Sequence, residues 1–228
     1  MTIYQKVYKE VYGDVSTQHV FDEISKKYTL DKNKVIYDIG CGYGRLFEKL
    51  IAISKHCYAV DVDDEAIGVF KSLYPSFEIE KEIDMNWPSP DFVLFHFHVL
   101  NYMSQKDIRA CFKKLFHSKA AKPIILYANF LNFEKLSGPR IWKEHPVLLL
   151  GKKYILRNSM KQINEKGAIM FVEEIWHADA LLIKKEAKLY NWNTERLIDF
   201  AKDSNFRVKK VSDVDHSYKT RELILELN

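Results

Sequence analysis

Three glycines at alternate positions, Gly40, Gly42 and Gly44, follow Asp38 at the end of a run that contains the β-branched Val35 and Ile36. Without Cβ atoms such a stretch can turn tightly and bring its backbone against a small molecule. The helix-like Arg45-Leu46-Phe47-Glu48-Lys49-Leu50-Ile51 that follows would add N–H groups with no partner inside the helix. Spacing narrows the choice of ligand. A dinucleotide fingerprint, G-x-G-x-x-G, needs a last glycine for close packing of helix on strand, and Arg45 stands at that position. A second apolar run, Cys57-Tyr58-Ala59-Val60, ends at Asp61, placed to take a pair of ribose hydroxyls at the tip of the neighbouring strand. Together the two features imply an adenosine-bearing ligand.

Asp38, Gly40, Gly42 and Gly44 match the D/E-x-G-x-G-x-G loop of class I, seven-stranded S-adenosylmethionine-dependent methyltransferases, and Asp61 matches the acid that closes their second strand. The chain resembles that family over most of its length. The resemblance implies S-adenosylmethionine as cofactor. Its methionyl part would face the glycine loop with Cys41, its ribose would meet Asp61 beside Val62, and its adenine amine would meet Asp84 beside Met85. The segment before the first strand commonly folds over the methionyl end in such enzymes, which points to Tyr12.

The stretch His96-Phe97-His98-Val99-Leu100-Asn101-Tyr102 resembles the F-H-V-x-x-Y segment after the fourth strand of a group of small-molecule methyltransferases, many linked to sugar or secondary metabolism. Phe97, His98, Val99 and Tyr102 match it. A hydroxyl acceptor needs a base near neutral pH, and an amine needs only to arrive unprotonated. His98 is therefore the candidate base, with Tyr102 beside it on the acceptor side. His96 would share a face with His98 on a continued strand and is grouped with the cofactor-binding residues. For either histidine the alternative is a satisfied place in the core.

Further acceptor-side candidates are Arg140 and Trp142 after Gly138-Pro139, and His177 with Trp176. Lys152 and Lys153 could attract a phosphate-bearing substrate, or serve only solubility. Tyr4, Tyr8 and Tyr12 recur every fourth residue and so share one helical face, which reads either as a packing face or as a lid over the acceptor. Acceptor chemistry is also bounded by what the chain lacks. The Asn- or Asp-Pro-Pro-aromatic run of amino-methylating nucleic-acid enzymes and the Pro-Cys of cytosine-C5 enzymes are both missing after the fourth strand.

Composition agrees with a small-molecule enzyme. The net charge is only +4, and of 35 basic residues seven are arginine, so a nucleic-acid surface is not indicated. Three cysteines, Cys41, Cys57 and Cys111, show neither even number nor C-x-x-C spacing, which speaks against a disulfide framework or a zinc site and for a reducing cytoplasm. No window approaches a membrane span and the first residues lack a signal-peptide core. At 228 residues with 47% hydrophobic content, one large domain with an insertion is expected.

The elements that must position these residues alternate. A helix over about 16–28 precedes a strand at 34–39; a helix at 44–53, a strand at 57–61, a helix at 64–73 and a short strand near 77–80 follow. A strand at 91–95, a helix at 105–117 and a strand at 123–127 continue the pattern. Such alternation predicts a parallel sheet with helices on both faces and its ligand at the carboxyl ends of the strands. That rule selects residues 38–44, 61–63, 84–86, 96–102 and 128–133.

From about 131 to 190 the alternation breaks into three β-like segments, 152–162, 168–177 and 181–190, with turns at Asn164-Glu165-Lys166-Gly167 and His177-Ala178-Asp179-Ala180. The expectation is an antiparallel insertion after the fifth strand, acting as a substrate cap or as a decorative extension. The core, residues 1–130 and 191–228, then resumes with a helix capped by Asn193 or Thr194 and ends in an antiparallel pair, 206–211 and 222–227. The expected fold is α/β, a mostly parallel seven-stranded sheet with that insertion. Its expected activity is methyl transfer to oxygen or nitrogen of a small polar metabolite, with a nucleotide-linked sugar as the leading acceptor; the alternatives are a nucleic-acid or protein methyltransferase and a non-catalytic cofactor-binding partner protein.

Overall fold

A computed structural model describes residues 2–12, 15–118, 123–131, 141–162, 168–214 and 220–227. In chain order the elements are α1 (Ile3–Tyr12), α2 (Val15–Lys27), β1 (Val35–Ile39), α3 (Phe47–Ile51), β2 (His56–Val60), α4 (Asp64–Leu73), β3 (Ile79–Glu80), β4 (Phe92–Phe95), α5 (Val99–Tyr102), α6 (Gln105–His117) and β5 (Ile124–Leu131). They continue with β6 (Ile141–Leu149), β7 (Lys152–Gln162), β8 (Ile169–His177), β9 (Ala180–Leu189), α7 (Thr194–Lys202), β10 (Phe206–Val214) and β11 (Thr220–Leu227). The chain divides into two compact units, Met1–Ile24 with Leu136–Asn191, and Ser25–Lys135 with Trp192–Asn228.

The larger unit is built on a seven-stranded sheet in the order β3-β2-β1-β4-β5-β11-β10. β1 lies between β2 and β4, parallel to both, and β3 and β5 extend the parallel set on either side. β11 is antiparallel to β5 and β10 to β11, the terminal pair anticipated from the sequence. All five residues of β1 are buried, as a central parallel strand covered on both faces requires. Asp91 anchors its start, accepting the Val35 N–H at 2.8 Å.

Helix starts in this unit are set by side chains. Asp63 accepts the Glu65 and Ala66 N–H groups at the head of α4, Ser104 and Asp107 form a reciprocal capping box on α6, and Asn193 caps α7. Phe47 of α3 packs edge-on against Phe70 of α4 at 4.7 Å between ring centroids, which fixes the two helices that flank the glycine loop.

The smaller unit is a four-stranded antiparallel sheet in the order β6-β7-β8-β9. Two-residue turns join β6 to β7 and β8 to β9: Leu150 and Gly151 in the first, Ala178 and Asp179 in the second, all at positive φ, as tight hairpins that match strand twist require. The sequence suggested three strands; the additional one is β6. Its Pro146 and the charged Lys143-Glu144 hide the strand pattern, and β6 tolerates a residue without an N–H because it lies at the sheet's edge. The turn expected at 164–167 lies outside the described residues.

α1 belongs to this unit. The Tyr4 hydroxyl donates to the Glu173 carboxylate at 2.5 Å, and Asn158 Nδ2 donates to the Tyr12 hydroxyl, so the helix is tied to β8 and β7. Among the described residues, no helix is long and apolar enough to cross a membrane.

Candidate active site

The glycine loop begins where β1 ends. Gly40, Gly42 and Gly44 have φ of +71°, +56° and +83°, a left-handed backbone that side chains with a Cβ rarely adopt. The Gly40 and Cys41 N–H groups both donate to the Val60 carbonyl, at 2.7 and 3.1 Å, which fastens the loop to the end of β2. The three glycines differ in their surroundings. A Cβ on Gly40 would lie 2.4 Å from Val99 Cγ2, and one on Gly44 would lie 2.5 Å from Tyr74 Cε2, whereas a Cβ on Gly42 would meet nothing within 4 Å. Gly40 and Gly44 therefore let protein pack against protein, and Gly42 turns bare backbone to open space.

Asp61 faces this loop across the ends of the two strands. Its Oδ2 accepts the Gly42 N–H at 2.7 Å and its Oδ1 accepts the Asp63 N–H at 2.9 Å. Each carboxylate oxygen has two lone pairs, so each keeps acceptor capacity. Burial raises the Asp61 carboxyl above its usual range, and the N–H groups of Asp63 and Gly42 act against that shift.

Asp38 is buried beneath, and its Oδ2 has no hydrogen-bond partner among the described residues. Burial, and then the neighbouring Asp61 charge, pushes its carboxyl to about 7. Burial, reinforced by Asp38 and Asp61, also drives the Cys41 thiol far up, so Cys41 is no thiolate nucleophile. Asp84, after β3, is shaped by a local turn in which its Oδ1 accepts the Asn86 N–H at 2.8 Å. Val62 and Met85, which follow the ends of β2 and β3, are large apolar residues left 79% and 48% exposed.

The turn after β4 holds the two histidines. Phe97 and His98 are consecutive non-glycine residues at φ of +53° and +65°, a conformation disfavoured for both. Asn129, on β5, bridges this turn: its Oδ1 accepts the His98 N–H at 3.0 Å and its Nδ2 lies 3.0 Å from His96 Nδ1. The Arg45 guanidinium lies over the Phe97 ring at 3.8 Å. A second asparagine, Asn101, is fully buried and accepts the Leu131 N–H at 2.8 Å, joining α5 to the end of β5.

His96 is buried, and burial, Arg45 and His98 in that order hold its imidazole well below the usual histidine range. For His98 burial alone lowers the imidazole to about 4. At that value His98 is uncharged at neutral pH, an acceptor and a weak base. Tyr102 ends α5 with 46% of its surface exposed.

Other candidates lie in the smaller unit. Tyr4, Tyr8 and Tyr12 stack along α1 at 5.6 and 4.7 Å, Tyr12 meets the His145 ring at 5.7 Å, and Lys185 Nζ sits 4.1 Å over Tyr4. These contacts serve the packing alternative for the tyrosine stripe. His177 stacks on Tyr154 at 4.9 Å while its Nδ1 lies 2.8 Å from the Lys153 carbonyl. It borders a cavity of about 410 Å³ whose lining includes Pro146, Leu148, Lys153, Arg157 and Trp176. Arg140 and the Trp142 side chain fall outside the described residues. No cluster of metal ligands is found among the described residues.

Residues 36–119 match the model of a methyltransferase domain. That stretch, a little over a third of the chain, is similar to a methyltransferase domain. The match spans the glycine loop, Asp61, Asp84 and the His96–Tyr102 segment, all within the larger unit. Solved methyltransferases share the fold over the whole chain. An S-adenosylmethionine-dependent methyltransferase from Clostridium acetobutylicum is 15% identical with a TM-score of 0.72, covering 100% of both chains. CalS10, an amino pentose methyltransferase from Micromonospora echinaspora solved with S-adenosylmethionine bound, is 11% identical with a TM-score of 0.79, covering 100% of this chain and 98% of its own. KedS8, a sugar N-methyltransferase from a Streptoalloteichus species, is 11% identical with a TM-score of 0.73, covering 98% of this chain and 92% of its own. Comparison with curated proteins gives no match.

The glycine loop and Asp61 were visible as a motif. Asn129 was not: it falls in the window 128–133 at the ligand end of the fifth strand, but nothing in the sequence distinguishes an asparagine that bridges two histidines from one that caps a turn. Val99 and Tyr74, which close around Gly40 and Gly44, are ordinary apolar and aromatic residues by sequence.

Proposed function

We propose that this methyltransferase moves the methyl group of S-adenosylmethionine to an amine or hydroxyl of a small polar metabolite, with an amino group on a nucleotide-linked sugar as the leading acceptor. The observation that carries the reading is the loop of left-handed glycines opposite Asp61, open at Gly42. The residues fit the cofactor. Gly42 leaves room where any side chain would intrude, the Asp61 oxygens keep lone pairs for ribose hydroxyls, and Asp38 buries an oxygen with no partner among the described residues.

The cofactor supplies a methyl group already activated on a sulfonium. The protein's share is positioning. In this reading the Gly40–Gly44 loop with Cys41 receives the methionyl part, Asp61 and Val62 the ribose, and Asp84 and Met85 the adenine. His98 accepts a hydrogen bond from the acceptor and orients its lone pair, with Tyr102 beside it. His98 is a weak base, which favours an acceptor that arrives as a neutral amine over a hydroxyl that must lose its proton during transfer. The amino pentose and sugar N-methyltransferases among the fold neighbours support the same choice. The antiparallel unit, which departs from the carboxyl end of β5, is assigned acceptor specificity, with His177, Arg140 and Trp142 as its candidates. Three free cysteines suit a reducing, cytoplasmic setting.

The test is a screen of the purified protein with S-adenosylmethionine against nucleotide sugars with and without amino groups, scored by a methyl increment in product mass. Methylation of an amino sugar is expected. Calorimetry with S-adenosylhomocysteine gives the cofactor arm, where Asp61→Ala should weaken binding by about 1–3 kcal/mol through loss of a charge-assisted pair. A protein that binds neither cofactor nor product ends the proposal.

A further inference from the structure

We infer that Asn129 is a positioning residue that divides the work of the two histidines: it locks His96 in the Nε2–H tautomer and anchors the His98 backbone, leaving His98 to meet the acceptor. The inference rests on the proposed methyl transfer for its use, but its geometry can be tested without it.

The His98 backbone N–H can only donate, so the Asn129 atom 3.0 Å away must be the amide oxygen. The amide nitrogen therefore faces His96 Nδ1, also at 3.0 Å. An NH₂ group can only donate, so Nδ1 must present its lone pair, and a neutral imidazole then carries its proton on Nε2. His96 is kept neutral by burial and by the Arg45 charge. Its basic lone pair is already occupied by Asn129, so it cannot take a proton from an acceptor.

His98 differs on each count. Among the described residues its Nδ1 has no partner, whereas in His96 it is Nε2 that has none. Its main chain is held in a left-handed turn at φ of +65°, directly after Phe97 at +53°. Two such residues in succession need outside support. Asn129 supplies it at the His98 N–H, and Arg45 covers the Phe97 ring at 3.8 Å. The Trp192 indole donates to the Leu100 carbonyl at 2.8 Å, holding the helical turn that follows. Asn129 thus bonds both the His98 backbone and the His96 ring.

The experiment uses the full chain labelled with ¹⁵N-histidine, long-range ¹H–¹⁵N spectra at pH 7, and calorimetry with S-adenosylhomocysteine. In the wild type, His96 should show a protonated Nε2 and an unprotonated Nδ1. Asn129→Asp keeps an oxygen for the His98 N–H and replaces the donor facing His96, so His96 should move to the Nδ1–H tautomer or become charged while His98 signals stay near wild type. Asn129→Ala should perturb both rings. S-adenosylhomocysteine binding in both variants checks that the glycine loop, to which neither bond belongs, stays folded.

With an amino sugar that the wild type methylates, Asn129→Ala should lower kcat at least tenfold with little change in KM, and Asn129→Asp should retain more activity than Asn129→Ala. A wild-type His96 with its proton on Nδ1, or His96 spectra in Asn129→Asp indistinguishable from wild type, overturns the inference. So does wild-type kcat in Asn129→Ala. If the wild type methylates nothing, the proposed reaction fails, and the spectra still decide the tautomer.

Discussion

At the scale of single residues, burial changes what each ionisable group can do. His98 held at about 4 is uncharged through the working pH range and offers a lone pair with little appetite for a proton. If its task is to orient an amine, a neutral hydrogen-bonding side chain should do part of the work. His98→Gln is then expected to keep kcat within about tenfold of wild type, and His98→Ala to lose about 10²-fold or more, with S-adenosylhomocysteine affinity intact in both. Steady-state kinetics would check it; equal collapse of both variants would instead indicate proton transfer, and unchanged turnover in His98→Ala would make it a packing residue.

Asp38 carries the opposite shift, and its consequence is a slope in stability. Its carboxyl, raised to about 7, is still protonated in the native state at pH values where the unfolded chain has ionised it, with a reference value of about 3.9. Native protein therefore binds more protons than unfolded protein between those values, so stability must fall as pH rises. The contribution is full below about 4 and is lost as pH rises through about 7. Thermal unfolding of the ligand-free protein across that window should show wild-type Tm declining more steeply than that of Asp38→Asn. A sulfonium gains from the ionised carboxylate, so the preference for S-adenosylmethionine over S-adenosylhomocysteine should strengthen with rising pH. Parallel Tm curves for wild type and variant would show that Asp38 titrates normally.

At the scale of elements, the glycine loop separates folding from binding. Gly40→Ala would place its Cβ 2.4 Å from Val99 Cγ2 at a left-handed φ, so it should lose about 1–3 kcal/mol to overpacking besides the backbone penalty. Val99→Ala should restore part of that loss in a double-mutant cycle read by denaturant unfolding. Gly42→Ala meets no neighbour, so its folding loss should be confined to the backbone term, and its larger effect should appear in S-adenosylhomocysteine affinity. A Gly42→Ala protein with wild-type affinity would remove that face of the loop from the site.

The elements also show which parts of the fold were legible. α4, α6 and α7 begin at residues whose side chains cap them, and those residues sit at fixed offsets before apolar stripes, so their starts could be read. β1 could be read because a central parallel strand needs a continuous apolar run. β6 was hidden, since Pro146 is a breaker everywhere except at an edge, and edge placement is a property of the sheet. The low basicity of His98 was hidden for a related reason: burial is created by tertiary packing, and the FHV segment alone leaves the imidazole at its solution value.

At the scale of the molecule, the least legible feature was the allegiance of the N-terminal helix. Read along the chain, α1 precedes the core and resembles a segment that covers a cofactor. In the structure Tyr4 bonds Glu173, 169 residues later, and Tyr12 bonds Asn158, so α1 and β6–β9 form one compact unit. A truncation that tests the acceptor role of this unit must therefore remove both pieces. Excising residues 136–191 alone would leave α1 with its buried face of Tyr4 and Val7 uncovered, and the result would report aggregation. Removing residues 2–24 together with 136–191, and joining the cut ends of the insertion by a short flexible linker, leaves the seven-stranded sheet and every candidate cofactor residue except Tyr12. The shortened chain should fold with a cooperative transition and bind S-adenosylhomocysteine within about tenfold of the full protein, a change of less than about 1.4 kcal/mol. It should no longer methylate any acceptor that the full chain is found to methylate. Retained turnover would make the antiparallel unit an extension without a part in acceptor recognition, and loss of S-adenosylhomocysteine binding in a folded core would place Tyr12 or its helix among the cofactor contacts.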